Sequence, residues 1–152
     1  MVGITAYGGY VPRRRLPRSV ILENVSWFNG GLKAYSKGER SMCNWDEDAL
    51  TMAVEASRDC LDKARPDDIK AIYLASTTLP FTDRQNSGIL GTALNLGQNM
   101  MTMDITSSQR AATSGLINAL SVAKGTGGSA LFATGEHRRS QTANTNELMF
   151  GD

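Results

Sequence analysis

The chain has 152 residues, 41% of them hydrophobic and 20% charged, with a net charge of +1. That is enough chain for one domain with a real core and an ordinary soluble composition, and near-neutrality gives no reason to expect nucleic acid. No apolar run approaches the roughly 20 residues of a membrane helix. The opening Met1-Val-Gly-Ile-Thr5 has neither a basic start nor an apolar signal core, so the expected location is cytoplasmic, away from membranes. Cys43 and Cys60 are too few and too unpatterned for a disulfide framework or a zinc site, and no metal is expected.

Val2–Val11 reads as a bent strand or strand pair, with Ile4, Tyr7, Tyr10 and Val11 set around Gly3, Gly8 and Gly9 and closed by Pro12. After Arg13, Arg14, Arg15 and Arg18 comes a short helical pattern from Ser19, its N-cap, through Ile21, Leu22, Val25 and Phe28. Gly30-Gly31 ends it, and Leu32–Met42 reads as a polar loop. The clearest helix spans Trp45–Ala64. Asn44 or Asp46 caps it, three acids occupy its first turn, and Leu50, Ala53, Val54, Ser57, Cys60, Leu61 and Ala64 form one apolar face. Pro66 stops it.

Ala71–Ser76 is a continuous apolar run of the kind buried in a parallel sheet. Pro80–Arg84 reads as a loop and Gln85–Leu96 as a small-residue helix. Met100–Thr106 is a strand, Arg110–Lys124 a helix, Gly125–Ser129 a turn and Ala130–Thr134 a further strand. This alternation predicts right-handed crossovers and a mostly parallel sheet.

The stretch Asp104-Ile-Thr-Ser-Ser-Gln109-Arg-Ala-Ala-Thr113 runs from strand through a small-residue turn into a helix. A reactive group there faces the positive helix end, where free N–H groups favour developing negative charge. The spacing resembles the nucleophile turn of the thiolase superfamily and puts Gln109 where that family keeps its cysteine. Val2–Pro12 resembles the first strand of 3-hydroxy-3-methylglutaryl-CoA synthases and ketoacyl-ACP synthase III. Gly38-Glu-Arg40, Asn44–Asp48 and Thr51–Ala56 resemble the archaeal-type synthases, and Leu148-Met-Phe-Gly-Asp152 resembles the junction at which the second half of the fold begins.

The resemblance implies an α/β chain: residues 1–152 as the N-terminal half of a thiolase-like αβαβα fold, with a mostly parallel mixed sheet and a buried central helix. The C-terminal half, which supplies the family's catalytic His and Asn, is expected on a longer protein or a separate chain, in cis or in trans. The implied activity is that of an acyltransferase making or breaking carbon–carbon bonds with coenzyme A thioesters as substrates, with no permanently bound cofactor. The alternatives are a non-catalytic subunit of a thiolase or acyltransferase complex, a pseudoenzyme, and a malonyl-type decarboxylase using Gln109. Implied partners are acyl-CoA, a second copy, and a thiolase with an OB-fold protein.

A glutamine amide cannot attack a thioester as a thiolate does. Gln109 therefore reads either as a mimic of an acylated cysteine or as a helix cap in a dead site. Ser107 and Ser108 are rival nucleophiles, but a serine needs a base in reach, and the single histidine, His137, reads as solvated beside Arg138 and Arg139. Ser108 reads better as a cap. Cys60 reads as core, and Cys43 as a loop residue with nothing near it to activate it. The acid/base Glu that the synthases carry after their second strand has no counterpart in Ser76-Thr77-Thr78. Arg15, Arg40 and Trp27 are candidates for the phosphates and adenine of coenzyme A, with a solvated basic loop as the plainer reading. Arg84 and Gln85 fall where the superfamily's dimer partner approaches the site.

Overall fold

A computed structural model describes residues 1–64, 68–142 and 144–152, so Pro66, expected to stop a helix, lies outside the described residues. In chain order the elements are β1 (Arg14–Pro17), α1 (Arg18–Val25), a 3-10 turn (Gly30–Tyr35), β2 (Glu39–Met42), α2 (Ala49–Lys63), β3 (Ile69–Ala75), α3 (Asn86–Ala93), β4 (Met101–Ile105), α4 (Ala111–Thr126), β5 (Ser129–Thr134) and α5 (Thr145–Met149). They form two compact units. The first holds Met1–Tyr10 and Asp48–Glu136, the second Val11–Glu47 and His137–Asp152.

The first unit is a three-stranded parallel sheet in the order β4-β3-β5, with Leu74 opposite Asp104 on one side and Ala133 on the other. Strand side chains alternate between faces, so the apolar run of β3 serves two cores at once. Ile72 and Leu74 pack with Leu50, Ala53, Val54 and Leu61 of α2, Leu90 of α3, and Leu131 and Ala133 of β5. Ala71 and Tyr73 pack on the other side with Ala119 of α4, joined by Ile105, Val122 and Phe132. Helices thus cover both faces, as an all-parallel sheet requires. α4 comes close enough to the sheet only because position 115 is glycine: a Cβ there would lie 2.6 Å from a ring carbon of Phe132. Ala111, Gly115 and Ala119 are buried on that side, while Ile117 on the opposite side is 60% exposed.

The expected strand over Val2–Val11 does not form; residues 1–10 carry no ladder. Their backbone is tied to helix α2 instead. Gly9 N–H donates to Asp59 at 3.0 Å, Lys63 donates to the Tyr7 carbonyl at 3.4 Å, and Gly8 lies so close that a Cβ would sit 2.3 Å from the Cys60 nitrogen. The Lys63 ammonium and the Gly9 N–H hold the Asp59 carboxyl below its ordinary pKa, outweighing the opposing effect of burial. α2 itself begins later than Trp45. Asp48 is its cap, in a reciprocal box: Thr51 N–H donates to Asp48 Oδ1 at 2.8 Å and Asp48 N–H to Thr51 Oγ1 at 2.7 Å. Neither Asn44 nor Asp46 is the cap, and the first turn holds no acid.

In the second unit β1 and β2 pair antiparallel, Leu16 opposite Arg40, and Ile21, Val25, Leu32 and Leu148 make a small core. Here the expected polar loop over Leu32–Met42 is wrong. Asn29 caps the 3-10 turn through Gly31 N–H, Leu32 is buried within it, and β2 follows. Gly30-Gly31 starts this turn rather than ending a helix. Ser19 does not cap α1 either, because β1 runs straight into it through Pro17, and the Arg18 N–H is already held by the Gly38 carbonyl at 3.0 Å. The Arg18 side chain donates to the Leu148 carbonyl at 2.6 Å and to that of Glu39. One arginine thereby ties α1, β2 and α5 together.

Candidate functional site

In a parallel sheet every strand ends on the same edge, and open α/β sheets present ligands at that carboxyl edge. β3 runs into Ser76-Thr77-Thr78, β4 into residues 106–110, and β5 into Gly135-Glu136. Ser76 N–H donates to the Ile105 carbonyl at 3.0 Å, closing the β3 and β4 ends together. The Glu136 carboxylate accepts from Thr77 N–H and Thr77 Oγ1, both at 2.8 Å, and from Thr78 Oγ1 at 3.3 Å. The preceding Gly135 packs against the start of α2, where a Cβ would lie 2.2 Å from the Ala49 carbonyl oxygen. The Ser76–Thr78 segment, which contains no acid of its own, thus receives one from the end of β5. Sequence reasoning missed Glu136 because its partner lies across the sheet, and no local spacing signals it.

Between β4 and α4 the chain turns through Ser107, whose φ of 68° is left-handed, an arrangement that costs a non-glycine residue energy and gathers at functional sites. Ser108 Oγ accepts the Arg110 N–H at 3.1 Å, and its carbonyl accepts the Ala111 N–H at 2.9 Å. Ser108 therefore shapes the turn, while the helix cap position is Arg110, without a side-chain cap. Ser107, Ser108 and Gln109 are all exposed, and Gln109 stands two residues before the first residue of α4.

Asp104, the acid of the same motif, is spent on a different helix. Its Oδ2 accepts Asn86 N–H at 2.7 Å and the Asn86 side-chain amide at 2.9 Å; its Oδ1 accepts Ser87 N–H at 2.7 Å. A carboxylate across the first N–H groups of α3 meets the positive helix end. Burial pushes its pKa up, but the hydrogen bonds from Asn86 and Ser87 win and hold it below the ordinary carboxylate value. Asn86, itself fully buried, also bonds the Phe81 backbone at N–H and carbonyl. The neighbouring Gln85 is tied to β4 by a donor to the Thr102 carbonyl at 2.6 Å and an acceptor for Thr102 Oγ1 at 2.7 Å, and Arg84 is exposed.

Trp27, Arg15 and Arg40 belong to the second unit. Trp27 is 83% exposed, its indole N–H on the Asn24 carbonyl. The Arg15 guanidinium folds onto the carbonyls of Pro12 and Arg14. Arg40 is committed within its own unit. It donates to the Glu147 carbonyl at 2.8 Å and faces Asp152 at 3.7 Å, its side chain only 10% exposed. His137, expected to be solvated, is half-buried, and its ring lies in a cluster with Cys43 and Asp152.

No family model matches the chain. The hydroxymethylglutaryl-CoA synthase of Archaeoglobus fulgidus is 33% identical over 122 residues, which are 76% of this chain and 35% of the synthase. That of Caldivirga maquilingensis is 33% identical over 128 residues, 81% of this chain and 36% of the synthase. The chain therefore spans about a third of the length of these relatives. Among solved structures, 3-oxoacyl-(acyl carrier protein) synthase III of Pseudomonas aeruginosa superposes with a TM-score of 0.80 at 18% identity, covering 97% of this chain and 46% of that one. A variant of OleA from Xanthomonas campestris gives 0.78 at 19% identity, covering 88% and 42%. At such identities the structural likeness speaks for the fold.

Proposed function

We propose, on the premise that this chain corresponds to the N-terminal half of a thiolase-like condensing enzyme, that it handles acyl groups carried as coenzyme A thioesters. The supporting observation is the residue order at the β4–α4 turn. Asp104 is locked to α3, Ser107 is left-handed, and Gln109 stands at the mouth of a 16-residue helix. A carbonyl placed there meets the positive helix end, the feature that stabilises a developing oxyanion. An amide side chain supplies a carbonyl and two N–H donors but no nucleophile, so acyl transfer at this turn proceeds without a covalent intermediate on Gln109. Condensation or cleavage then depends on groups outside this turn, in cis or in a partner such as a second copy or a thiolase bearing an OB-fold protein.

A second reading is a non-catalytic subunit of an acyltransferase complex, favoured by that missing nucleophile. Intact-mass spectrometry after incubation with acetyl-CoA separates the two. An acyl adduct on any residue, or turnover of the thioester by the chain with its partners that is lost in Gln109→Ala, supports the catalytic reading. Full partner activity retained in Gln109→Ala, with no adduct, leaves the structural role. Release of carbon dioxide from malonyl-CoA, abolished by Gln109→Ala, would instead identify a decarboxylase.

A further inference from the structure

The second unit brings together three side chains that the acyl-transfer reading does not use. The Cys43 sulfur, a His137 ring nitrogen and a carboxylate oxygen of Asp152 all lie within 4.8 Å of one another. Cys43 is buried, at 8% exposure, and the Asp152 side chain is 5% exposed.

The arrangement around Asp152 is built. Ser41 Oγ donates to the Asp152 carbonyl at 2.6 Å, and Asp152 N–H donates to the Ser41 carbonyl at 3.4 Å. Gly151 permits this, since a Cβ there would lie 2.5 Å from Ser41 Oγ. Oδ2 of Asp152 accepts the Cys43 N–H at 3.0 Å and faces Arg40 at 3.7 Å. Oδ1 is buried and has no hydrogen-bond partner among the described residues. A buried carboxylate oxygen left without a donor is costly, and an ion is one of the few things that satisfies it.

We propose that Cys43, His137 and Asp152 bind a zinc-class divalent cation, with Asp152 ligating through Oδ1 and a fourth position open to water or a small ligand. A sulfur, an imidazole nitrogen and a carboxylate oxygen are the donor types such an ion takes. Bond lengths of about 2.0–2.3 Å place tetrahedral ligand atoms roughly 3.5 Å apart, so modest side-chain rotation closes the cluster. Binding forms the metal–sulfur bond as the Cys43 thiol gives its proton to solvent; nothing is oxidised or reduced. Arg40 opposes the cation, but a thiolate and a carboxylate against one guanidinium leave the site a net negative charge, and Arg40 sits on the Oδ2 side. The proposal does not depend on the acyl-transfer reading.

Cobalt(II) titration of the chelator-treated full chain tests it. The expected result is one equivalent bound, with a thiolate-to-cobalt charge-transfer band and intensified tetrahedral d–d bands, both removed by zinc(II). Cys43→Ser abolishes the charge-transfer band. His137→Ala and Asp152→Asn each weaken binding by more than the roughly 10–100-fold that outer-shell changes cost. Cys60→Ser keeps the full spectrum, its thiol lying in the other unit with its pKa pushed up by burial. Circular dichroism of each variant identifies loss of fold; if Asp152→Asn does not fold, the His137→Ala titration decides. No band in the wild type, a band that survives Cys43→Ser, or unchanged affinity in a folded His137→Ala overturns the proposal.

Discussion

Replacing Asp104 by asparagine tests the lock between β4 and α3. The carboxylate accepts three hydrogen bonds, two on Oδ2 and one on Oδ1. An amide at this position has one oxygen and one NH2 group. In its better orientation the oxygen keeps the two Asn86 bonds, and the NH2 then faces the Ser87 N–H, donor against donor. Losing a charged acceptor for a helix-end N–H costs about 1.5–3 kcal/mol. Removing the negative charge from the N-terminus of α3 adds about 0.3–1 kcal/mol. The expected loss is therefore roughly 2–4 kcal/mol, or a melting temperature lowered by about 5–15 °C for a chain of this size. Chemical denaturation followed by circular dichroism measures it. The pH dependence supplies a second check. Because the folded pKa of Asp104 is depressed, its contribution is fully present above the unfolded carboxyl value, near 3.9, and is lost as pH falls through the lower folded value. The gap between wild type and Asp104→Asn should therefore be constant above about pH 5 and close below the unfolded pKa. A gap under about 1 kcal/mol at neutral pH, or one that does not narrow in acid, refutes the assignment of Asp104 as the lock.

Gly115→Ala places a Cβ 2.6 Å from the Phe132 ring and 3.2 Å from Ile105, so despite alanine's better helix propensity it should destabilise by about 1–3 kcal/mol. Phe132→Leu in the same chain should recover part of that loss in a denaturation cycle. Asp48→Ala removes one half of the capping box of α2 and should cost about 1 kcal/mol, with faster amide exchange confined to the first turn of that helix. Gln109→Cys should gain an acetyl adduct on the introduced thiol when incubated with acetyl-CoA, read by peptide mass mapping. A thiol at that position that iodoacetamide labels but acetyl-CoA leaves unmodified counts against the proposed register of this turn.

How much was legible beforehand follows from the range of the interactions. The helix over α2, the apolar strand β3 and the β4–turn–α4 passage were visible because periodicity and turn chemistry are local signals, and the structure moves their ends by only a few residues. Acids ahead of α2 looked like a first turn, and only the Asp48–Thr51 reciprocal bond distinguishes the true cap. The stretch before α2 looked like loop because β2 is short and polar, its strand character coming from pairing with β1. Residues 1–10 have a strand's composition, yet strand formation needs a partner's backbone, and here α2 takes their hydrogen bonds.

Local patterning, then, determined the α/β alternation, the parallel sheet and the position of Gln109, since each is written in residues no more than a few places apart. Folding decided which polar groups meet: Glu136 on Thr77, Asp104 on Asn86 and Ser87, and Cys43 with His137 and Asp152. Those pairs are distant in the chain and carry no spacing rule, so only the packing of the strands and the return of the last residues onto β2 brings their atoms within bonding reach.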